Sequence, residues 1–150
     1  MFNENEEDIF ASIDKVDARG QRNPYLIEGD YLLEVEKIQL KKARDRRVFY
    51  LVEAKILESN NAERPIGMTV SWMTDVDQDM GPINIKRFLA ACIGIDPNSE
   101  EANTQVTSAA AKLSVSDEQP LTGEKVYVSV VATTTKSGKP FSEHRWQPVA

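Results

Sequence analysis

The stretch of sequence that decides the fold is YLLEVEKIQLKKARDRRVFYLVEAKIL, residues 31–57, in which a basic run joins two strand-like segments. Apolar residues alternate in the first segment, Tyr31 to Leu40, and change phase after Val35, a pattern that predicts a long strand broken by a β-bulge. They alternate again in the second segment, Val48 to Leu57. The pattern therefore predicts an antiparallel hairpin with the basic run at its tip and a first strand bent as a small barrel requires.

The basic run, Lys41 to Arg47, has a charge opposite to that of the whole chain. From Lys37 to Arg47 six cations face one carboxylate, Asp45, a local charge of +5, whereas the 150-residue chain has a formal net charge of −6. Such a cluster is typical of a surface that meets a polyanion. Lysines and arginines at a hairpin tip also keep sheet edges from pairing, so the neighbouring elements must decide between the two interpretations.

The bulk properties of the chain indicate one ordinary globular domain. A chain of this length can bury roughly 70% of its unfolded surface. Cys92 is the only cysteine, which excludes an intramolecular disulfide and a cysteine-rich zinc site. No apolar run approaches the roughly 20 residues of a membrane span, and the acidic N-terminus differs from a signal peptide. We expect a soluble, intracellular protein without membrane contact.

The first 23 residues differ in composition from the rest. Residues 1–23 are polar and acidic with few apolar side chains, which predicts a flexible segment. Ile9, Phe10 and Ile13 would share one side of a short helix, so the segment has a means of docking on the domain or on a partner. The folded domain is expected to span residues 24–150.

Further periodic patterns follow the hairpin. They predict, in chain order, a strand at 68–72, an amphipathic helix at 83–93, a weaker candidate helix or insertion at 99–112, and strands at 126–132 and 141–147. Gly94 is a stop signal for the first helix, and Ser99 is a suitable N-cap for the second. The predicted class is mainly β: a five-stranded Greek-key OB-fold barrel with one helix between strands three and four and a candidate extra helix.

An OB-fold places its ligand across strands two and three, between the loops that join strands one to two and four to five. Here these loops are the basic run and residues 136–139. Single-strand binding also needs flat rings on which bases stack. Phe49 is the best candidate, followed by Tyr127 and Trp72, with core packing as the alternative for Phe49 and Trp72. The candidate nucleic-acid-binding residues are Lys41, Lys42, Arg44, Arg46, Arg47, Phe49, Trp72, Tyr127, Lys136, Lys139 and Arg145.

Catalytic chemistry has few candidates in this sequence. His144 is the only histidine, Cys92 lies on the predicted buried face of a helix, and no serine stands in a nucleophile elbow. Residues 75–81 resemble the start of a calcium loop, but Met80 stands where an EF-hand requires glycine. We therefore expect no enzyme, no cofactor and no metal.

Four short motifs resemble those of OB-fold single-stranded DNA-binding proteins of the kind that bacteriophages encode. They are GDY at 29–31, RRVFY at 46–50, KRFL at 86–89 and KSGK at 136–139, and the resemblance covers about residues 25–149. It implies a non-catalytic protein that coats single-stranded DNA during replication or recombination, with little sequence preference. It also implies a cytoplasmic location, in the host cell if a phage encodes the chain.

Many proteins of that kind end in an acidic tail with a hydrophobic tip, which recruits replication enzymes. This chain ends in WQPVA, residues 146–150. The acidic N-terminal segment, which includes Phe2 and Phe10, is the alternative carrier of that function. Residues 1–17 are therefore the predicted contact for replication or recombination proteins.

Three other functions stay open on the sequence alone. The first is a protein-interaction or structural accessory module without nucleic-acid affinity, in which residues 109–111 contribute to an interface. The second is an RNA-binding OB-fold, because contacts to the 2′-hydroxyl are not visible in a sequence. The third and least favoured is a hydrolase with a metal at Asp75, Asp77 and Asp79.

Overall fold

A computed structural model describes residues 23–134, 136–138 and 140–149 of the protein. Within these ranges the chain forms, in order, β1 (Gly29–Lys42), β2 (Val48–Ser59), β3 (Thr69–Asp75), α1 (Gly81–Cys92), α2 (Glu100–Gln105), α3 (Ser108–Ser114), β4 (Lys125–Thr134) and β5 (Pro140–Pro148). The fold is mainly β, as the alternation predicts. No helix in the described ranges is long and apolar enough to cross a membrane. Residues 1–22, with their predicted recruiting role, and Lys139 lie outside them.

The described strands form one antiparallel sheet in the order β3-β2-β1-β4-β5. The central strand β1 pairs with β2 along nearly its whole length but with β4 only over residues 29–34. Its register against β2 shifts between Val35 and Lys37. The shift places Ile38 in the core on the same side as Val35, which confirms the predicted bulge.

Beyond Glu34, where β4 ends its pairing, the open edge of β1 is covered by a loop. Val35 exchanges two backbone hydrogen bonds with residues 123–124, of 2.8 and 2.9 Å. Gln119 then takes the place of a strand: its Oε1 accepts from the Ile38 N–H at 2.8 Å, and its Nε2 donates to the Ile38 carbonyl at 2.7 Å. The side-chain amide thereby satisfies polar groups that would otherwise be buried without a partner.

Replacing Gln119 with alanine is expected to lower the free energy of unfolding by about 1–3 kcal/mol, because both backbone groups of Ile38 lose their partner at a part-buried edge. Urea unfolding followed by circular dichroism measures the change. The matched control is Gln105→Ala, at an exposed position. Equal unfolding midpoints for the two variants would contradict the role given to Gln119.

The core lies on the face of the sheet that α1 covers. Phe88 of α1 is fully buried, and its ring centroid lies 5.5 Å from that of Trp72 on β3 and 4.9 Å from that of Trp146 on β5. The two tryptophan rings themselves meet edge to face at 4.9 Å. The two edge strands of the sheet, β3 and β5, therefore approach each other through the rings of Trp72 and Trp146.

The sheet is nevertheless not closed into a barrel. In the described part of the chain β3 and β5 share no backbone pairing, and they stand at opposite ends of the strand order. The Ser71 N–H on the outer edge of β3 donates instead to the Pro24 carbonyl at 2.9 Å, and Tyr25 forms a parallel bridge with Ser71. Residues 24 and 25 thus occupy part of the edge that closure would require.

The candidate helix at 99–112 is two helices, which corrects the prediction of one extra helix. Ser99 caps α2 as predicted, since its side chain accepts a hydrogen bond from the Ala102 N–H. The helix ends because Val106 is extended and buried, and Thr107 then caps α3. A β-branched residue loses little by leaving a helix, and here the departure places the Val106 side chain in the core.

Residues of this region pack in the core, so residues 99–112 are not an insertion that lies outside it. Ala102 and Val106 are buried. The Ser114 hydroxyl lies 2.8 Å from the hydroxyl of Tyr50, in a buried hydrogen bond between α3 and β2. Burial raises the pKa of Tyr50, so the phenol stays protonated in this bond.

Candidate functional site

The turn that joins β1 to β2 projects its basic side chains into solvent. The Ala43 N–H donates to the Arg47 carbonyl at 2.8 Å, and the Arg46 N–H donates to the Ala43 carbonyl at 3.1 Å, which closes the turn. Arg46 adopts the left-handed conformation, with φ of 72°. Arg44, Arg46 and Arg47 are exposed, as is Lys42, whereas Lys41 is half-buried. The basic run therefore forms a cationic hairpin tip, as the sequence predicts.

Asp45 fixes the shape of this tip. Its carboxylate accepts from the backbone N–H of Arg47 at 3.2 Å and from the Arg47 Nε at 2.6 Å. The pKa of Asp45 lies below its ordinary value, first because of that backbone hydrogen bond and then because of the guanidinium. Arg44 and Arg46 form no ion pair with the described residues, so their charges are available to a ligand.

Phe49 lies beside the tip on the outer face of β2. Lys41 of β1 and Asp75 of β3 are its partners in the strand register, one on each side. The Arg47 guanidinium carbon lies 5.2 Å from the centroid of the Phe49 ring, within cation–π range. Phe49 is half-buried, so its ring is held by its neighbours and still has accessible surface. The result is an aromatic surface flanked by two cations.

Trp72, by contrast, belongs to the core. Only 6% of its surface is exposed, and its ring packs against Phe88 and Trp146. Along β3 the side chain of Trp72 points to the face that α1 covers. Of the two roles that the sequence leaves open for Trp72, the structure favours core packing, and the residue offers no open ring face to the outer surface.

Tyr127 and Arg145 lie away from the basic run. Tyr127 of β4 is 41% exposed and stands opposite Leu32 of β1. Arg145, on the neighbouring strand β5, forms an exposed ion pair with Glu143 at 3.3 Å. Leu32 and Lys41 are nine positions apart on β1, a span of about 30 Å in an extended strand. The predicted site residues therefore fall on two separate surfaces.

The loop between β4 and β5 approaches the end of β3. Lys136 is exposed in this loop. Directly after the loop, Phe141 and Ser142 line a cleft together with Met73 and Asp75 of β3. Since Asp75 is also the register partner of Phe49, the β4–β5 loop and the tip of the β1–β2 hairpin both lie next to the end of β3.

Two residues at this cleft were not selected from the sequence. Phe141 is exposed to 49%, and Arg87 of α1 lines the same cleft. Phe141 could have been selected from the sequence, because it follows the lysines of the β4–β5 loop as Phe49 follows the basic run. Arg87 belongs to the KRFL motif at 86–89, but it was not selected because a helical arginine is most often a solvated side chain.

His144 packs as an aromatic group. Its ring stacks on Trp146, with centroids 6.0 Å apart, and lies 6.1 Å from Trp72. Burial lowers the pKa of His144 from 6.5 to about 4, against an opposing hydrogen bond with the backbone of Ser142. The imidazole is therefore neutral at pH 7.

A neutral His144 predicts a loss of stability in acid. The unfolded side chain binds a proton near pH 6.5, whereas the folded one binds it only near pH 4. Between these values protonation favours the unfolded chain, so the free energy of unfolding falls as the pH falls, by at most about 3 kcal/mol. Above pH 6.5 this side chain adds no pH dependence.

Urea unfolding of the wild type and of His144→Phe, measured in steps from pH 7 to pH 4, checks this expectation. Phenylalanine keeps a ring against Trp146 and cannot titrate. The stability of the wild type relative to the variant is therefore expected to decrease as the solution becomes more acidic. Parallel profiles for the two proteins would show that His144 is not held neutral by the fold.

The acidic loop after β3 is organised by its own backbone. The Asp75 carboxylate accepts from the Asp77 N–H at 2.9 Å, an Asx turn. In the described part of the chain no three histidine, cysteine, aspartate or glutamate side chains are arranged to hold a metal ion.

Burial raises the pKa of the Cys92 thiol, which disfavours a reactive thiolate.

The exposed cations of the hairpin tip and the adjacent Phe49 ring are thus the most distinctive constellation in the described residues. The loop after β4 and the cleft at the end of β3 lie next to it. No protein-family model matches the chain, and no curated protein matches it significantly.

Proposed function

We propose that this protein binds single-stranded DNA, without catalysis, through the basic run and Phe49, and that it does so during replication or recombination in the cytoplasm. The observation that carries the proposal is the Arg47 guanidinium 5.2 Å from the Phe49 ring, on a turn that exposes further cations. Cations of this kind replace the counterions of phosphates, and a ring beside them stacks a base.

We also propose that the sheet is an OB-type barrel that is open along one side. The strand order places β1 between β2 and β4, and α1 follows β3, which agrees with the order of elements in that fold. The contact of Trp72 with Trp146 brings together the two strands whose pairing would complete the barrel. The departure from the pattern is the pairing of residues 24 and 25 with the edge of β3.

A single strand fits this surface better than a duplex. The bases of a duplex already stack on one another, so the Phe49 ring would gain nothing from them, whereas an unpaired base is free to stack. The chain as a whole is acidic, with a net charge of −6, and repels long stretches of phosphate. Binding is therefore expected to be local to the hairpin tip and sensitive to salt.

Fluorescence anisotropy of a labelled thymidine strand of about 30 nucleotides tests the proposal at low and physiological salt. We expect tight, salt-sensitive binding that unlabelled single strands compete away and matched duplex does not. A competition with RNA of equal length separates DNA from RNA preference. Absence of binding at low salt would refute the proposal and favour an interaction module.

A further inference from the structure

A cleft opens along the seam between β3 and β5, beside the start of α1. Its volume is about 650 Å³, within the roughly 300–1,000 Å³ range of small-molecule sites. The end of β3, the loop from residue 76 to residue 80, the first turn of α1 and the first residues of β5 form its walls. We call it the seam cleft. Its size admits a flat group such as a nucleobase.

The walls of the seam cleft are rich in rings and thioethers. Phe141 and Met80 are exposed to 49% and 48%, although both are large apolar side chains. Met73, Trp72 and His144 complete this apolar lining. Aromatic and thioether side chains make favourable contacts with the face or edge of a flat ring. The apolar lining therefore suits a planar aromatic ligand.

Three polar side chains that line the seam cleft have no hydrogen-bond partner among the described residues. They belong to Gln78, Asn84 and Arg87. Amide and guanidinium groups recognise the edges of bases by hydrogen bonds. A ligand with a polar edge and apolar faces would satisfy both these groups and the ring-lined walls.

The charge of the seam cleft excludes a phosphate. Asp75, Asp79 and Glu143 line it, whereas Arg87 is the only cation among its described lining residues. Carboxylates accept hydrogen bonds from exocyclic amino groups, as aspartate and glutamate do from cytosine N4. The ligand that fits is a base with an amino group, whose sugar and phosphate stay outside.

The seam cleft continues the surface on which single-stranded DNA is proposed to lie. Asp75 is the register partner of Phe49 on one side and lines the cleft on the other. Adjacent strands are about 4.8 Å apart, so the Phe49 ring and the mouth of the cleft are separated by little more than one strand. A strand whose phosphates contact Lys41 and Arg47 would bring a neighbouring base to the mouth.

We propose that the seam cleft takes one unstacked nucleobase with an exocyclic amino group, which means cytosine, adenine or guanine and not thymine, from a strand held by the basic run. This inference rests on the proposed binding of single-stranded DNA. Thymine has no exocyclic amino group that could donate to the carboxylates of Asp75 and Asp79. The protein is therefore expected to bind a deoxycytidine strand roughly ten-fold more tightly than a thymidine strand of equal length.

Affinities for deoxycytidine and thymidine strands of about 15 nucleotides, at equal salt and pH 7.5, test the preference. Asp79→Asn is expected to reduce it without weakening the binding of thymidine, and Phe141→Ala is expected to weaken deoxycytidine binding selectively. Asp117→Asn, at an exposed carboxylate outside the cleft, is the matched control. If Asp79→Asn and Asp117→Asn strengthen the binding of both strands equally, the carboxylate acts only through long-range charge and the inference is overturned.

Free nucleosides separate the seam cleft from the basic run, because they carry no phosphate. Quenching of tryptophan fluorescence by deoxycytidine but not by thymidine, lost in Phe141→Ala, would support the inference, since Trp72 lines the cleft. Quenching by N-acetyl-arginine amide instead would indicate a cationic peptide ligand and overturn it. Binding of both strands with no preference and no nucleoside quenching would overturn this inference alone, whereas failure to bind either strand would overturn the proposed function.

Discussion

Replacing Arg44, Arg46 and Arg47 together with glutamine is expected to weaken binding to a thymidine strand by roughly 50-fold at about 0.15 M salt. Each phosphate contact to a single strand contributes about 0.7 to the slope of log affinity against log salt, so three lost contacts flatten the slope by about 2. The three side chains are exposed at a hairpin tip, and exposed ion pairs contribute little to stability. The unfolding midpoint is therefore expected to stay near that of the wild type.

Anisotropy titrations over a range of salt concentrations measure both the affinity and the slope. The matched control replaces three other exposed cations, Lys55, Lys112 and Lys125, with glutamine. It makes the same change in net charge at sites remote from the hairpin tip. Equal losses in the two triple variants would mean that only net charge matters, and an unchanged slope in the arginine variant would exclude the basic run as the contact for phosphates.

Replacing Phe49 with alanine is expected to cost about 1–3 kcal/mol of binding free energy, about 5- to 150-fold in affinity, because one base loses its stacking partner. The salt slope should change little, since the ring is uncharged. Phe49→Tyr should retain most of the affinity, because a phenol ring stacks as well. The two kinds of contact are thus distinguishable: the arginines set the slope, and the ring sets the affinity at a given salt concentration.

Tyr127→Ala is the matched control for the ring, because Tyr127 is an exposed aromatic residue on the same sheet but on the other surface. We expect this variant to bind as the wild type does. If Tyr127→Ala weakens binding and Phe49→Ala does not, the interface lies over β4 and β5 and the assignment to the hairpin tip is wrong.

The hairpin tip is preorganised for the role proposed here. The Arg47 guanidinium is held by Asp45 at 2.6 Å and lies over the Phe49 ring at the same time. A long side chain that is already ordered loses less conformational entropy when it contacts a phosphate. Asp45, although it removes one unit of positive charge from the basic run, therefore helps the remaining cations by fixing the turn.

The hairpin and its bulge could be predicted because their signals are local. The period-2 alternation on either side of the basic run reports which face of each strand is buried, and its phase change after Val35 reports the bulge directly. Tyr31 of this alternating segment and Phe88 of the amphipathic helix are both buried in the core. The exposure of the tip arginines followed from their charge and their place in a turn.

The split of the 99–112 helix and the role of Gln119 could not be predicted in this way. Val106 leaves the helix because a distant core accepts it, and local propensity does not show that gain. Gln119 satisfies Ile38, which lies 81 positions earlier in the chain. Nothing in its own neighbourhood marks a glutamine that completes a sheet edge.

The sequence by itself determined the strands, the first helix, the cationic tip and the ring beside it, because alternation and charge are properties of neighbouring residues. Only the tertiary structure decided that Trp72 is core, that Tyr127 lies apart from the basic run, and that Phe141 and Arg87 meet the end of β3 at a cleft. Those relations join residues far apart in the chain. They depend on the curvature of the sheet, which brings β3 and β5 close enough for Trp72, Phe88 and Trp146 to pack together.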